Sequence, residues 1–295
     1  MAETIWPRVH SKCETLAAGL YLVSTPIGNL SDITLRALCV LEMADVLACE
    51  DTRTTRKLLT HYGLPVAGRL QRHDAHASPA ERARLVAACQ FGKSVALVSD
   101  AGAPLISDPG LALVQDCQAA GVAVTTLPGA SAPLAALQLS GLSSLPFHFA
   151  GFLSAKAGER RAEIAKLAAI PATLVLFEAP HRVAACLADL AQGLGPRNAA
   201  LVREITKRFE EVRRGPLDQL AAELAESPVK GEIVLVIAPP PERQDEVDDE
   251  ELTALLRAAL ERLSLRDAVA QVAAATGQPR RRVYRLALDL DRATQ

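Results

Sequence analysis

The residues best equipped for chemistry stand where apolar runs stop. Val95–Val98 reads as a strand buried on both faces, and it ends abruptly in SDAGAPLISDPG, from Ser99 to Gly110. Gly102, Pro104, Pro109 and Gly110 forbid regular structure there. In open α/β sheets, the crevice beyond the carboxyl ends of the strands is where small ligands sit. A backbone-rich loop carrying Asp100, Ser107 and Asp108 suits a ligand with amine and hydroxyl donors. It suits a phosphate poorly, because two carboxylates repel one. An ordinary turn with Asp108 capping the next helix is the plainer alternative, but two Gly/Pro clusters exceed what capping needs. Other strand ends look similar: Gly19–Ser24 runs into Thr25-Pro26-Ile27-Gly28-Asn29, and Val46–Cys49 into Glu50-Asp51-Thr52-Arg53. The first of these turns has a single glycine, which disfavours a dinucleotide fingerprint. After Val122–Leu127, Gly129 allows close backbone approach, and Ser131 can both cap a helix over 131–140 and bond a ligand. In QRHDAHASPAE, His73 and His76 with Asp74 could offer metal ligands, but a polar loop at a cleft edge explains the same composition, and no metal is expected.

The elements that must position these residues read as a soluble α/β protein. The chain has 295 residues, 49% hydrophobic and 22% charged, with net charge −2, so two domains and an ample core are expected. Near-neutrality confines any nucleic-acid contact to a local basic patch. Six cysteines lie scattered without a CxxC, and most sit inside apolar runs, as buried free thiols in a reducing, cytoplasmic setting would. No apolar stretch is long enough for a membrane span. Helices are expected after Asp32, over 53–62 with Gly63 as C-cap, over 79–91 and over 111–120. The second half offers strands at Phe147–Leu153, Leu174–Phe177, Ala199–Arg203 and Glu232–Ile237, with a turn and helix from Gly215 to Glu226. The strand at Leu174–Phe177 ends in Glu178-Ala179-Pro180-His181-Arg182, and that at Ala199–Arg203 leads to Glu204-Ile205-Thr206-Lys207. The plan is a flexible leader (1–18), an N-terminal α/β domain (19–128), a C-terminal α/β domain (129–240), an acidic linker (241–250) and a helical extension (251–295). That extension, with Arg280, Arg281 and Arg282 opening its third helix, reads either as a small helix-turn-helix contacting nucleic acid or as an oligomerisation arm.

Taken in order over roughly residues 19–237, the segments TPIGNLSDITLRAL, EDTRTTRKLL, LVSDAGAPLISDPG, LPGASA, FEAPHR, REITK and KGEIVLVI resemble the tetrapyrrole methylase superfamily. They look most like its 2′-O-ribose rRNA methyltransferase branch, and the helical tail is similar to that branch's C-terminal extension. The resemblance implies two α/β domains with a cofactor cleft between them, a homodimer, and S-adenosyl-L-methionine as cofactor. It implies 2′-O-methylation of a cytidine ribose in the decoding region of 16S rRNA, with the small ribosomal subunit as partner. It further implies that the cofactor lies against Asp100, Ala101, Gly102, Pro104 and Ile106, close to Ser131 and Ala132. Phe152, Phe177, Glu178, Ala179 and the strand over 232–238 would close over the adenine, with Thr25, Pro26 and Gly28 as the wall toward substrate.

A sulfonium is already an excellent methyl donor, so such a site has to align one hydroxyl and take one proton. Glu50 and Asp51 are the candidate bases, and Arg53 could hold an RNA phosphate or orient them. His181 and Lys207 could assist the proton or pin a phosphate, and Arg56 joins Arg280–Arg282 as a candidate RNA contact. The plain alternative for Glu50–Arg53 is a helix N-terminus with a local ion pair. Two departures from the branch stand out: Ala103 where threonine is usual, and His76-Ala77 where His-Asn is usual. A corrin or porphyrin methylase is the competing reading. It would share the cofactor loops but need no basic tail.

Overall fold

A computed structural model describes residues 15–66, 68–241 and 248–294. Most of the expected leader, and residues 242–247 of the expected acidic linker, lie outside the described residues. Strands β1 (Gly19–Val23), β2 (Val46–Cys49), β3 (Leu70–Arg72), β4 (Ser94–Val98) and β5 (Val124–Leu127) pair only in parallel, in the order β3-β2-β4-β1-β5. β2 and β4 are buried at every position because helices cover both faces. One face packs on Leu38 and Leu41 of α1 (Leu35–Met43) and Leu59 of α2 (Thr52–His61). The other packs on Leu85 of α3 (Pro79–Gln90) and Leu113 of α4 (Leu111–Ala119).

Local chemistry sets the helix starts. Ser78 and Glu81 form a reciprocal capping box with Pro79 in the first turn of α3. Thr34, not Asp32, caps α1: its hydroxyl accepts from Ala37 N at 3.1 Å, while Asp32 falls in a single 3-10 turn over Leu30–Asp32. β3 is not among the expected strands because it is only three residues long, with Leu70 as its one apolar residue and Gln71 and Arg72 exposed.

The second sheet comprises β6 (Phe147–Phe152), β7 (Thr173–Glu178), β8 (Asn198–Arg203), β9 (Glu211–Pro216) and β10 (Ile233–Ile237), in the order β6-β7-β10-β8-β9. β6 and β7 run parallel and the remaining pairs antiparallel. Helix α5 (Ala132–Ser140) covers one face together with Ile27 and Ile205. On the other face lie α6 (Ala157–Ala168), α7 (Val183–Leu194) and α8 (Leu217–Glu226). There the buried Arg160 donates to Asp189 at 2.7 Å. Gly215 and Pro216, expected in a turn, close the polar edge strand β9.

Contacts divide the chain into a unit ending at Pro239 and a second unit from Pro240. The second contains α9 (Asp249–Leu260), α10 (Leu265–Thr276) and α11 (Arg280–Thr294) around Leu252, Leu256, Val269, Val272 and Val283. Arg282 donates to Asp249 at 2.7 Å, tying the start of α11 to the start of α9. Cys49, Cys89, Cys117 and Cys186 are free and buried, whereas Cys39 is disulfide-bonded. Among the described residues, no helix is long and apolar enough to cross a membrane.

Candidate active site

The two Pro/Gly loops beyond β1 and β4 are stitched together. Thr25 N donates to Gly102 O at 2.9 Å, Gly102 N returns a bond to Thr25 O at 3.1 Å, and the Thr25 hydroxyl donates to Ser99 O at 3.0 Å. Gly102 has φ +81°, and a Cβ there would stand 3.3 Å from Ile27 Cγ2, so both conformation and space favour glycine. Among the described residues, the non-glycine positions with positive φ are Leu105 (72°) and Ser107 (62°) in this loop and Glu204 (52°) and Thr206 (65°) after β8. Such strain clusters where a binding surface must be held in shape.

Between these loops lies a cleft of about 370 Å³, in the size range of small-molecule sites. Ala101, Gly102 and Ile106 line one side, with Ser131 and Ala132 at the start of α5. Ser131 occupies the N-cap position but makes no capping bond, so the double role expected of it reduces to facing the cleft. Phe152, Phe177, Glu178 and Ala179 line the opposite side. Phe152 is 58% exposed although apolar, and its ring centroid lies 5.3 Å from that of Phe177. Paired rings at the rim suit a flat heteroaromatic ligand. The Glu178 carboxylate is already committed: it accepts from Arg182 Nε at 2.8 Å and from Ala179 N at 2.7 Å, and Arg182 also donates to Leu153 O at 2.9 Å. It therefore fixes the FEAPHR turn.

Five residues expected around the cofactor do not line this cleft. Thr25 and Pro26 are buried, and Thr25 acts through the stitch to Gly102. Gly28 sits against the loop after β8, where a Cβ would stand 2.5 Å from Lys207 Cγ, and Asn29 N donates to Thr206 Oγ1 at 3.1 Å. Asp100 and Pro104 line a separate small recess with Glu50, His73 and Asp108, and Asp108 borders both spaces. Ile27, Pro133, Pro180, Ile205 and Gly231 also line the cleft but were not anticipated. Ile27 could have been suspected from its place between Pro26 and Gly28, but nothing in the sequence brings Ile205 to the same wall. Ala103 lines the cleft too, so the departure from threonine falls on the wall itself.

Electrostatics separates the neighbouring carboxylates. Burial pushes the Glu50 carboxyl above the usual range, helped by Asp100, Asp108 and Asp74. Burial also raises Asp100 and Asp108; Asp108 accepts a hydrogen bond from the Ser99 hydroxyl. Asp51 behaves oppositely. It caps α2 by accepting from Arg53 N at 2.8 Å and takes the Arg53 guanidinium at 2.8 Å, which holds its carboxyl down at about 2. Lys207 is paired with Glu204 at 2.9 Å and Glu232 at 3.1 Å. Burial works against its charge, but those bonds carry its pKa above the ordinary lysine value. His73 is buried, which lowers its pKa, and its Nδ1 has no partner. His76 is exposed, and among the described residues no three His, Cys, Asp or Glu side chains group to hold a metal. His181 is exposed in the turn before α7 and does not border the cleft. Arg53 and Arg56 are exposed on α2, and Arg280 and Arg281 at the start of α11, whereas Arg282 is bound to Asp249 and Gln278.

Residues 19–221 match the family described as Tetrapyrrole (Corrin/Porphyrin) Methylases. The chain belongs to that family. Residues 246–291 of this tetrapyrrole methylase match a second family, described as RsmI C-terminal HTH domain. The methylase is 46% identical over 277 residues to Ribosomal RNA small subunit methyltransferase I of Mesorhizobium japonicum, covering 93% of each chain. It is 49% identical over 281 residues to the protein of the same name from Erythrobacter litoralis, covering 95% of this chain and 98% of that one. Among solved structures, a conserved hypothetical protein from Aeropyrum pernix K1 superposes with a TM-score of 0.57 at 20% identity, over 95% of this chain and 98% of that one. Uroporphyrin-III C-methyl transferase from Thermus thermophilus, complexed with S-adenyl homocysteine, gives 0.52 at 20% identity over 75% and 97%. Both likenesses are of fold.

Proposed function

We propose that this methylase transfers a methyl group from S-adenosyl-L-methionine to small-subunit ribosomal RNA, at the 2′-hydroxyl of a cytidine ribose in the decoding region. The observation that carries this reading is likeness along the whole chain, cleft and helical tail together, to relatives named Ribosomal RNA small subunit methyltransferase I. Its competitor, a corrin or porphyrin methylase, shares the family match over residues 19–221 and the fold, but not the match of residues 246–291 or the likeness along the whole chain. A cytoplasmic location and a homodimer belong to the same proposal.

The cleft fits the cofactor in volume and lining. Bound there, S-adenosyl-L-methionine would supply a methyl group already activated by its sulfonium. The flat faces of Phe152 and Phe177 suit adenine, and the backbone around Ala101–Ile106 with the Ser131 hydroxyl suits the polar ends. Glu50 accepts the ribose 2′-hydroxyl proton, its raised pKa making it a stronger base than Asp51 at about 2. Burial, with the charges of Asp100 and Asp108, maintains that elevation, while Asp51 with Arg53 anchors the start of α2. Arg53, Arg56 and His181 meet the RNA backbone, and Lys207 holds the loop after β8 against the start of β10. In the tail, Arg280 and Arg281 meet phosphate while Arg282 holds the domain together.

The test is methyl transfer from labelled cofactor to small subunits lacking the modification, followed by nucleoside digestion. Label in 2′-O-methylcytidine is expected. Label on a base, or transfer only to a tetrapyrrole acceptor, contradicts the reading.

A further inference from the structure

The segment from Glu204 to Glu210, between β8 and β9, is braced far more heavily than a connection requires. Glu204 N donates to Glu232 O at 3.0 Å, Lys207 N to Glu204 O at 3.0 Å and Glu210 N to Lys207 O at 3.1 Å. Thr206 N donates to the Glu210 carboxylate at 2.7 Å, and the Thr206 hydroxyl accepts from Asn29 N. Glu204 and Thr206 hold left-handed backbone conformations that side chains ordinarily avoid. One end of this hook is fixed at the cleft, where Ile205 lines the wall. The other end displays Arg208 and Phe209, both exposed.

Phe209 is 63% exposed, and the Arg208 guanidinium carbon stands 5.5 Å from the ring centroid. A single exposed phenylalanine is common and by itself needs no cause. Here the ring sits on a strained, locked hook whose Ile205 lines the cleft, with a cation over one face. Unpaired RNA bases are held in this way, stacked on aromatic rings and guanidinium planes with basic side chains at the adjoining phosphate. The cation beside the ring also offers countercharge to an adjoining phosphate, which fits a nucleic-acid strand.

We infer that Arg208 and Phe209 form a nucleobase-stacking site at the edge of the cleft, which grips an unpaired base of the substrate RNA near the nucleotide being methylated. This rests on the RNA reading above. The role is one of positioning: the pair touches the substrate and leaves the reacting atoms to the cleft.

The experiment compares full-length wild type with Phe209→Leu, Phe209→Tyr and Arg208→Gln. It measures kcat and KM for unmodified small subunits, cofactor affinity by calorimetry and oligomeric state by light scattering. Phe209→Leu is expected to raise KM on the order of tenfold while kcat, cofactor affinity and assembly stay as in wild type. Phe209→Tyr restores KM, because a phenol ring stacks as a phenyl ring does. Arg208→Gln flattens the salt dependence of RNA binding by about one phosphate contact. If Phe209→Leu is indistinguishable from an active wild type, or if it alters assembly, the stacking site is wrong and the RNA reading survives. A wild type inert on small subunits overturns both.

Discussion

Glu50 and Asp51 are adjacent, carry the same functional group and have opposite fates. Asp51 accepts from the first turn of α2 and from Arg53, so it stays ionised and weakly basic at about 2. Glu50 makes no such bond and borders a recess with Asp100 and Asp108, where burial and neighbouring charge raise its pKa. Glu50→Gln should therefore keep cofactor affinity and lose about a hundredfold or more in single-turnover rate. Asp51→Asn should lower the melting temperature and leave the rate within a few-fold. Since Glu50 must be ionised to accept a proton, the rate should climb with pH through a value above that of an ordinary glutamate. Asp100→Asn keeps an acceptor for Asp51 N but removes one of the charges that raise Glu50, so this acid limb should move to lower pH. A limb that stays put in a pH–rate profile would remove Glu50 from the role.

At the scale of elements, the cleft depends on loops meeting across it. Gly28→Ala places a Cβ 2.5 Å from Lys207 Cγ and 2.8 Å from Thr206 Oγ1, so the loops after β1 and β8 must separate. Cofactor affinity by calorimetry should fall about tenfold, with a lower melting temperature, and unchanged values would show the joint to be irrelevant. Asp45 pins the starts of β2 and β4 by accepting from Ser94 N and Oγ, both at 2.8 Å. The backbone bond from Ser94 lowers its carboxyl pKa. The folded value lies below the unfolded one, so this stability is present above the ordinary aspartate range and is lost as pH falls through the folded pKa. Asp45→Ala should cost about 1 kcal/mol at pH 7 in denaturant melts and progressively less in acid. The central strands were legible because β2, and β4 from Val95 on, are unbroken apolar runs that stop abruptly at polar residues, which also exposed the polar strand ends of the site. The edge strands β3 and β9 were not, because LQR and EVRRGP are mostly polar and carry no apolar alternation. Phe152 and Phe177 came only from resemblance: no periodicity says which distant strand ends share a wall.

At the scale of the whole molecule, a net charge of −2 requires RNA affinity to reside in local patches. In the helical unit after Pro240, Arg280 and Arg281 are exposed while Arg282 is engaged with Asp249. Replacing Arg280 and Arg281 together with alanine should weaken RNA binding and lower its salt slope by about one to two units, with cofactor affinity intact. Arg282→Ala should instead destabilise the helical unit, seen as earlier proteolysis of the tail. The most direct test of the account is single-turnover methyl transfer to unmodified small subunits by wild type and Glu50→Gln, both saturated with cofactor, with alkaline-resistant linkages mapped on the rRNA. The account predicts one protected linkage at a cytidine in the decoding region with wild type, and its near absence with Glu50→Gln. A protected linkage formed equally fast by both, or none formed by wild type, would contradict it.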